Sequence, residues 1–179
     1  RVGTTSALSG RNHLDLAVSN SSNPTGTWTI YRIPVQDDGT EGTPDHHCPL
    51  TNAGTGHGPC LGDYPHIGAD ANGFYITTNE YAFFPDDIFH AAQVYAFSKQ
   101  DLTNGGPVAM TQIDTVGMAN GHPGFTVWPS TSPQGSASPA NGGSEFFMSS
   151  NAAEEANSGT NRSSTDLLVW TLSNTSSLD

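Results

Sequence analysis

Apolar and polar residues alternate over short runs along most of the chain, and no long stretch carries a helical period. The clearest run is GFYITTNEY, from Gly73 to Tyr81, followed by AQVYAFS, from Ala92 to Ser98. Alternation with period two predicts strands with one packed face. YPHIGAD reads as a strand before them. DANG, from Asp70 to Gly73, reads as a hairpin turn in which Asn72-Gly73 supplies positive φ. VAMTQIDTV, from Val108 to Val116, reads as a fourth strand after the turn TNGGP. Four antiparallel strands within about 50 residues have the dimensions of a β-propeller blade.

The same design recurs on either side. HLDLAVSN, from His13, precedes a Ser/Asn/Pro loop and then WTIYRIPV. SEFFMSSN, from Ser144, precedes a second variable loop and then DLLVWTLS. In each unit the first of these strands closes on an asparagine: Asn20, Asn79 and Asn151. In the next strand Ile30, Val94 and Val169 correspond, then Tyr31, Tyr95 and Trp170, then Ile33, Phe97 and Leu172. GFTVWPS serves as the innermost strand of the third unit, before a Ser/Gly/Pro-rich loop from Thr131 to Gly143, and VGTTSAL as that of the first. The expected architecture is therefore all-β: about three four-stranded antiparallel blades, a partial ring, with units at about 1–50, 61–117 and 121–179 in a single domain. Three blades do not close a ring. The remainder is expected from the parent chain or from another subunit.

Composition narrows the classes of partner. Five Lys+Arg against 17 Asp+Glu give a net charge of −12. That excludes the counterion release on which nucleic-acid binding depends, and no apolar run is long enough to span a membrane. Few charges and many Ser, Thr, Asn and Gly suit a secreted or cell-surface chain. The two cysteines, Cys48 and Cys60, flank a Gly/Pro-rich segment. A disulfide between them would close a loop of about 13 residues and contribute roughly 3 kcal/mol. Two free thiols are the alternative. A zinc finger is not, because the spacing is not C-x-x-C and His46, His47 and His57 do not complete one.

The stretch CLGDYPHIGADANGFYITTNEYAFF, followed by AQVYAFSKQDLTNG, resembles a blade of large secreted bacterial β-propellers, similar to the sialidase-like and five-bladed arabinanase-like superfamilies. The shared pattern is an Asp-x-Pro entry, a D-x-N-G hairpin, an aromatic strand and a Lys-containing turn. The sialidase Asp-box is absent; SNPTGTW, from Ser22 to Trp28, lacks its Asp. The resemblance implies a site at the start of the innermost strands and a glycan as ligand. It implies Asp63 as a catalytic carboxylate. Glycosidases need two such groups, and Glu80 is the second candidate. Tyr64, His66, His122 and Trp128 are the binding candidates, Trp128 by stacking on a sugar ring. The rival readings are a non-catalytic binding or scaffold module and a structural cell-surface or filament component.

Seven histidines invite a metal. His57, Asp63 and His66 could line one rim, yet no fixed ligand spacing is present. The acidic loop Asp37 to Asp45 lacks the calcium-loop register and reads as turn chemistry. Calcium assembled from several loops is left open. The remaining aromatics, Trp28, Tyr31, Tyr75, Tyr95, Phe97, Phe146, Phe147 and Trp170, are expected between blades. Asn20, Asn161 and Asn174 stand in N-x-S/T sequons.

Overall fold

A computed structural model describes residues 10–49, 57–83, 87–131, 142–151 and 165–179. The expected innermost strand VGTTSAL, most of the Thr131–Gly143 loop and the Asn161 sequon lie outside the described residues.

The described chain is an all-β protein of antiparallel sheets. β1 (His13–Ser19) and β2 (Trp28–Pro34) form a hairpin. β3 (Cys48–Pro49) and β4 (His57–Gly58) form a minor ribbon. β5 (Cys60–Ala69), β6 (Gly73–Ala82), β7 (Phe89–Ser98) and β8 (Met110–Asp114) form a four-stranded meander. β9 (Phe125–Pro129), β10 (Ser144–Ser150) and β11 (Leu167–Ser173) form a third sheet with β10 in the middle. Among the described residues, only the middle unit has the four strands expected of each blade. The segment after β2 does not extend the first sheet; residues 35–47 fold into turns around buried Gln36 and Asp37.

The sheets stack through the middle one. On one of its faces Ile76, Tyr95 and Phe97 pack with Ile33 and Val35, flanked by Leu14, Leu16 and Tyr31 of the first hairpin. On the other, Tyr75, Val94 and Ala96 pack with Val127 and Phe147, flanked by Trp170 and Leu172 of the third sheet. Burying both faces of one sheet is what the near-continuous apolar run of β7 encodes. Of the three corresponding asparagines, Asn20 and Asn151 follow β1 and β10, and Asn79 lies near the end of β6. The residues aligned with Tyr95 do not share a face. Tyr31 lies on the Tyr95 side of the stack, whereas Trp170 lies on the Val94 side.

Two turns differ from their expected chemistry. Neither Asn72 nor Gly73 has positive φ. Instead Asp70 caps the hairpin, its Oδ1 accepting from the backbone N–H of Asn72 at 2.9 Å and of Gly73 at 2.6 Å. Asp side chains of this kind replace a backbone turn. Gly73 is required for space: a Cβ there would lie 2.2 Å from the Tyr75 hydroxyl. After β7 the expected Lys-containing turn is a short helix, α1 (Lys99–Asn104). Ser98 caps its start by accepting from Asp101 N–H, and Gly105 closes it at φ 73. Lys99 Nζ donates to the Asp70 carbonyl at 2.8 Å, tying the helix to the hairpin.

Candidate functional site

Two groups of side chains stand out, one on each face of the middle sheet, and each lies beside a β-bulge. The first is aromatic and exposed. β5 pairs with β6 as Asp63↔Asn79 and then His66↔Thr77, so Tyr64 and Pro65 together oppose one residue. The extra residue kinks the strand, and Tyr64 sits at φ 52. Beyond the kink His66 shares a face with Thr77, whose hydroxyl donates to the Val127 carbonyl of β9 at 2.6 Å. His66 therefore faces β9. Its ring lies 3.9 Å, centroid to centroid, from Trp128 and 4.5 Å from Tyr64, the latter edge-on. Tyr64 is 56% exposed and Trp128 52%.

Close approach of β5 and β9 builds this platform. A Cβ on Gly68 would stand 2.2 Å from Pro129 Cβ, so only glycine allows the contact. Asn79 braces the other strand: its Oδ1 accepts from Thr126 N–H at 2.7 Å and its Nδ2 donates to Thr126 Oγ1 at 3.0 Å. Thr126, β-branched and at φ 54, needs that brace. Burial holds the His66 imidazole below its ordinary value, which favours the neutral ring. Three of the four binding candidates, Tyr64, His66 and Trp128, thus come together. His122 does not join their ring stack; it is exposed at the end of the short turn Ala119–Gly121.

The second group is polar and buried. Glu80 opposes Gly62 on β5 and Ala91 on β7, which turns its side chain away from the platform. A bulge between Glu80 and Tyr81 leaves His90 as the extra residue of β7 and brings its ring beside Glu80. Asp114 ends β8. Asp37 and His46 come from the turns after β2, held down by the Cys48–Cys60 disulfide, which has formed as expected, with Cα atoms 5.5 Å apart. His46 Nδ1 lies 2.9 and 3.1 Å from the two Glu80 oxygens and 3.6 Å from Asp37 Oδ2. His90 Nε2 lies 2.9 Å from Asp114 Oδ2 and 3.6 Å from Glu80 Oε2. The imidazoles are stacked, 5.4 Å apart. Gln93 Nε2 donates to Glu80 Oε2 at 3.0 Å, and Gln112 Nε2 to Asp37 Oδ2 at 2.8 Å.

Burial and crowding set the protonation here. Burial, together with the adjacent Glu80, pushes the Asp37 carboxyl up to about 8. Burial likewise lifts Glu80 to about 7, against the hydrogen bond from Asp37 and the charge of His90. For His90 burial acts downward, but the Asp114 hydrogen bond and the carboxylate charges outweigh it and hold the imidazole above its ordinary value. Asp114, although buried, is held below the usual carboxylate range by His90 and by the Val116 N–H.

The two catalytic candidates are not brought together. Asp63 is exposed and opposes Asn79, on the face toward β9; Glu80 is fully buried on the opposite face. His57 lies in β4, apart from the β5 strand that carries Asp63 and His66. Within the acidic loop Asp38 makes a turn, with Thr40 N–H and hydroxyl both donating to its Oδ1, whereas Asp37 belongs to the buried polar group. Sequence reasoning did not join His46, His90, Asp114 and Asp37 to Glu80. The available signal was weak: polar residues at His90, Gln93, Gln112 and Asp114 on strands otherwise read as core.

No family model matches the chain, and neither a curated protein nor a solved structure matches it. Among the described residues no helix is long and apolar enough to cross a membrane.

Proposed function

We propose that this chain is a carbohydrate-binding, non-catalytic segment of an extracytoplasmic β-propeller. The observation that carries the reading is the exposed stack of Tyr64, His66 and Trp128. Sugar rings present C–H faces that pack on aromatic surfaces, and a ring stack half open to solvent offers such a face with polar tips beside it. A neutral imidazole and a net charge of −12 favour a neutral glycan over an anionic one, which the chain would repel.

Two further features support the propeller. The three main sheets stack in chain order, with the third unit's innermost strand beside β5: Ala69 and Thr131 form a parallel bridge. Both outer faces of the stack expose apolar side chains, Trp28 and Phe146 among them, which were expected between blades. Trp28 and Ile30 do so on the first sheet, and Phe146, Met148, Leu167 and Val169 on the third. Faces of this kind are what further blades would cover. The disulfide is compatible with an oxidising compartment. Against a hydrolase stands the separation of Asp63 and Glu80 on opposite faces, since retaining and inverting mechanisms both need two carboxyls flanking one bond.

Binding of neutral oligosaccharides, screened on a glycan array and followed by tryptophan fluorescence, tests the reading. Trp128→Ala should weaken binding at least about tenfold, the scale of one lost aromatic stack, and Asp63→Asn should leave it unchanged. Failure of the chain to bind any neutral glycan overturns the proposal. So does sugar release that Asp63→Asn abolishes, which would restore the hydrolase.

A further inference from the structure

The polar group beneath the disulfide has no part in sugar binding, and its composition calls for an occupant. Three carboxyl groups, Asp37, Glu80 and Asp114, meet two imidazoles in a buried space. Among the described residues no Lys or Arg forms an ion pair with them. We propose that His46, Glu80, His90 and Asp114 bind one divalent transition-metal ion of the zinc class, with Asp37 as a supporting carboxylate beside His46.

Geometry carries the assignment. Each of the four residues offers one nitrogen or oxygen, and all four atoms lie within 4.8 Å of one another. Bonds of about 2.0–2.2 Å in a tetrahedron place neighbouring ligand atoms about 3.3–3.6 Å apart. With His46 Nδ1 and His90 Nε2 as the ligand nitrogens, the nitrogen–oxygen separations are 2.9 Å from His46 to Glu80, 2.9 Å from His90 to Asp114 and 3.6 Å from His90 to Glu80, on either side of that spacing. Two nitrogens and two oxygens suit zinc; calcium takes six to eight oxygens and has no use for paired imidazoles. Four protein ligands leave no open position, so the site is structural rather than hydrolytic.

A second, independent observation is Asp37. Its side chain is fully buried, with Oδ2 3.6 Å from His46 Nδ1, and its Oδ1 has no hydrogen-bond partner. A buried carboxylate oxygen left unpaired is costly. Asp37 lies against the same His46 nitrogen as Glu80, so it supports a cation there by its charge rather than from the far side of the ring. The backbone is fixed to receive the ion: the disulfide tethers the chain two residues after His46, and Cys60 N–H donates to the Gln36 carbonyl at 2.6 Å.

The test uses the whole chain with its disulfide intact, stripped with a chelator and titrated with zinc chloride. Calorimetry should show one ion per chain, and the melting temperature should rise with zinc and fall again with chelator. His90→Ala and Glu80→Gln should abolish that uptake, His122→Ala should not alter it, and Asp37→Asn should weaken it about ten- to a hundredfold. Cobalt(II) on the wild-type chain should give the intense visible bands of a tetrahedral site without a thiolate band, a readout that does not depend on any variant folding. Uptake of no zinc by the wild-type chain, uptake equal in His90→Ala, or a weak octahedral cobalt spectrum would each overturn the assignment. Glycan binding lost while zinc uptake persists, or the reverse, separates this site from the platform.

Discussion

The aromatic platform and the polar centre sit back to back on one sheet, and each lies beside a β-bulge. They treat water in opposite ways. On the β9 side, Tyr64 and Trp128 are half exposed around a neutral imidazole. On the other side, Glu80 and Asp37 are excluded from water and pushed toward neutrality. A bulge adds one residue to a strand and so turns a side chain that the two-residue period would have sent elsewhere. At Tyr64 it opens the strand edge to solvent. At His90 it turns an imidazole onto a face already bearing a carboxylate. The same local device yields a surface in one place and an ionic core in the other, according to which described residues pack above it: few over half-exposed Trp128, and a disulfide-tethered turn over Glu80.

Breaking the tether should separate the two most sharply. Replacing both Cys48 and Cys60 by Ser is expected to cost roughly 3 kcal/mol of stability, the closure entropy of this loop. It should also release His46 and Asp37 from the polar centre. Denaturant midpoints measure the first effect, and zinc titration the second. The glycan affinity of the platform should be unchanged wherever the variant is folded. If glycan binding falls with the disulfide, the two faces are coupled and the contrast fails.

A third carboxyl sharpens the comparison. Glu145, on β10, is buried with Oε2 lacking a partner. Its burial, followed by the nearby charge of Asp70, raises it to about 7. Unlike Glu80 it has no imidazole beside it among the hydrogen bonds and ion pairs of the described residues. A carboxyl whose folded value is raised contributes stability that is fully present below its unfolded value, near 4.5, and is lost as pH climbs through about 7. Glu145→Gln should therefore gain about 1–3 kcal/mol at pH 8 and nothing near pH 4. Thermal denaturation at both values checks this; equal shifts at both would mean that the residue is solvated.

The smallest effect on stability is expected at the platform. Trp128→Ala removes a half-exposed ring stacked on His66 and should cost about 1 kcal/mol or less, while affecting sugar binding most. A large loss of stability in urea would show that Trp128 is core and that the exposed stack is not a free surface.

The platform was partly legible because Tyr64 and His66 are neighbours on one strand, and GFTVWPS reads as a strand of the same kind. Adjacent strands of like design bring such residues together. The pairing of Cys48 and Cys60 was legible for a similar local reason. The polar centre was not, because its members come from residues 37, 46, 80, 90 and 114, and no period or spacing links them. The pairing of Asp63 with Glu80 failed on the pleat: their separation in sequence says nothing about which face of the sheet each occupies.

Alternation of apolar residues determined that this chain forms strands, and the near-continuous apolar run of β7 that this strand is buried on both faces. Side-chain volume and water exclusion act locally enough to be written in the order of residues. Tertiary packing alone decided which polar side chains share a space and how far they are kept from water. Proximity between distant segments, and the loss of solvation it brings, arise only when sheets and turns are laid on one another.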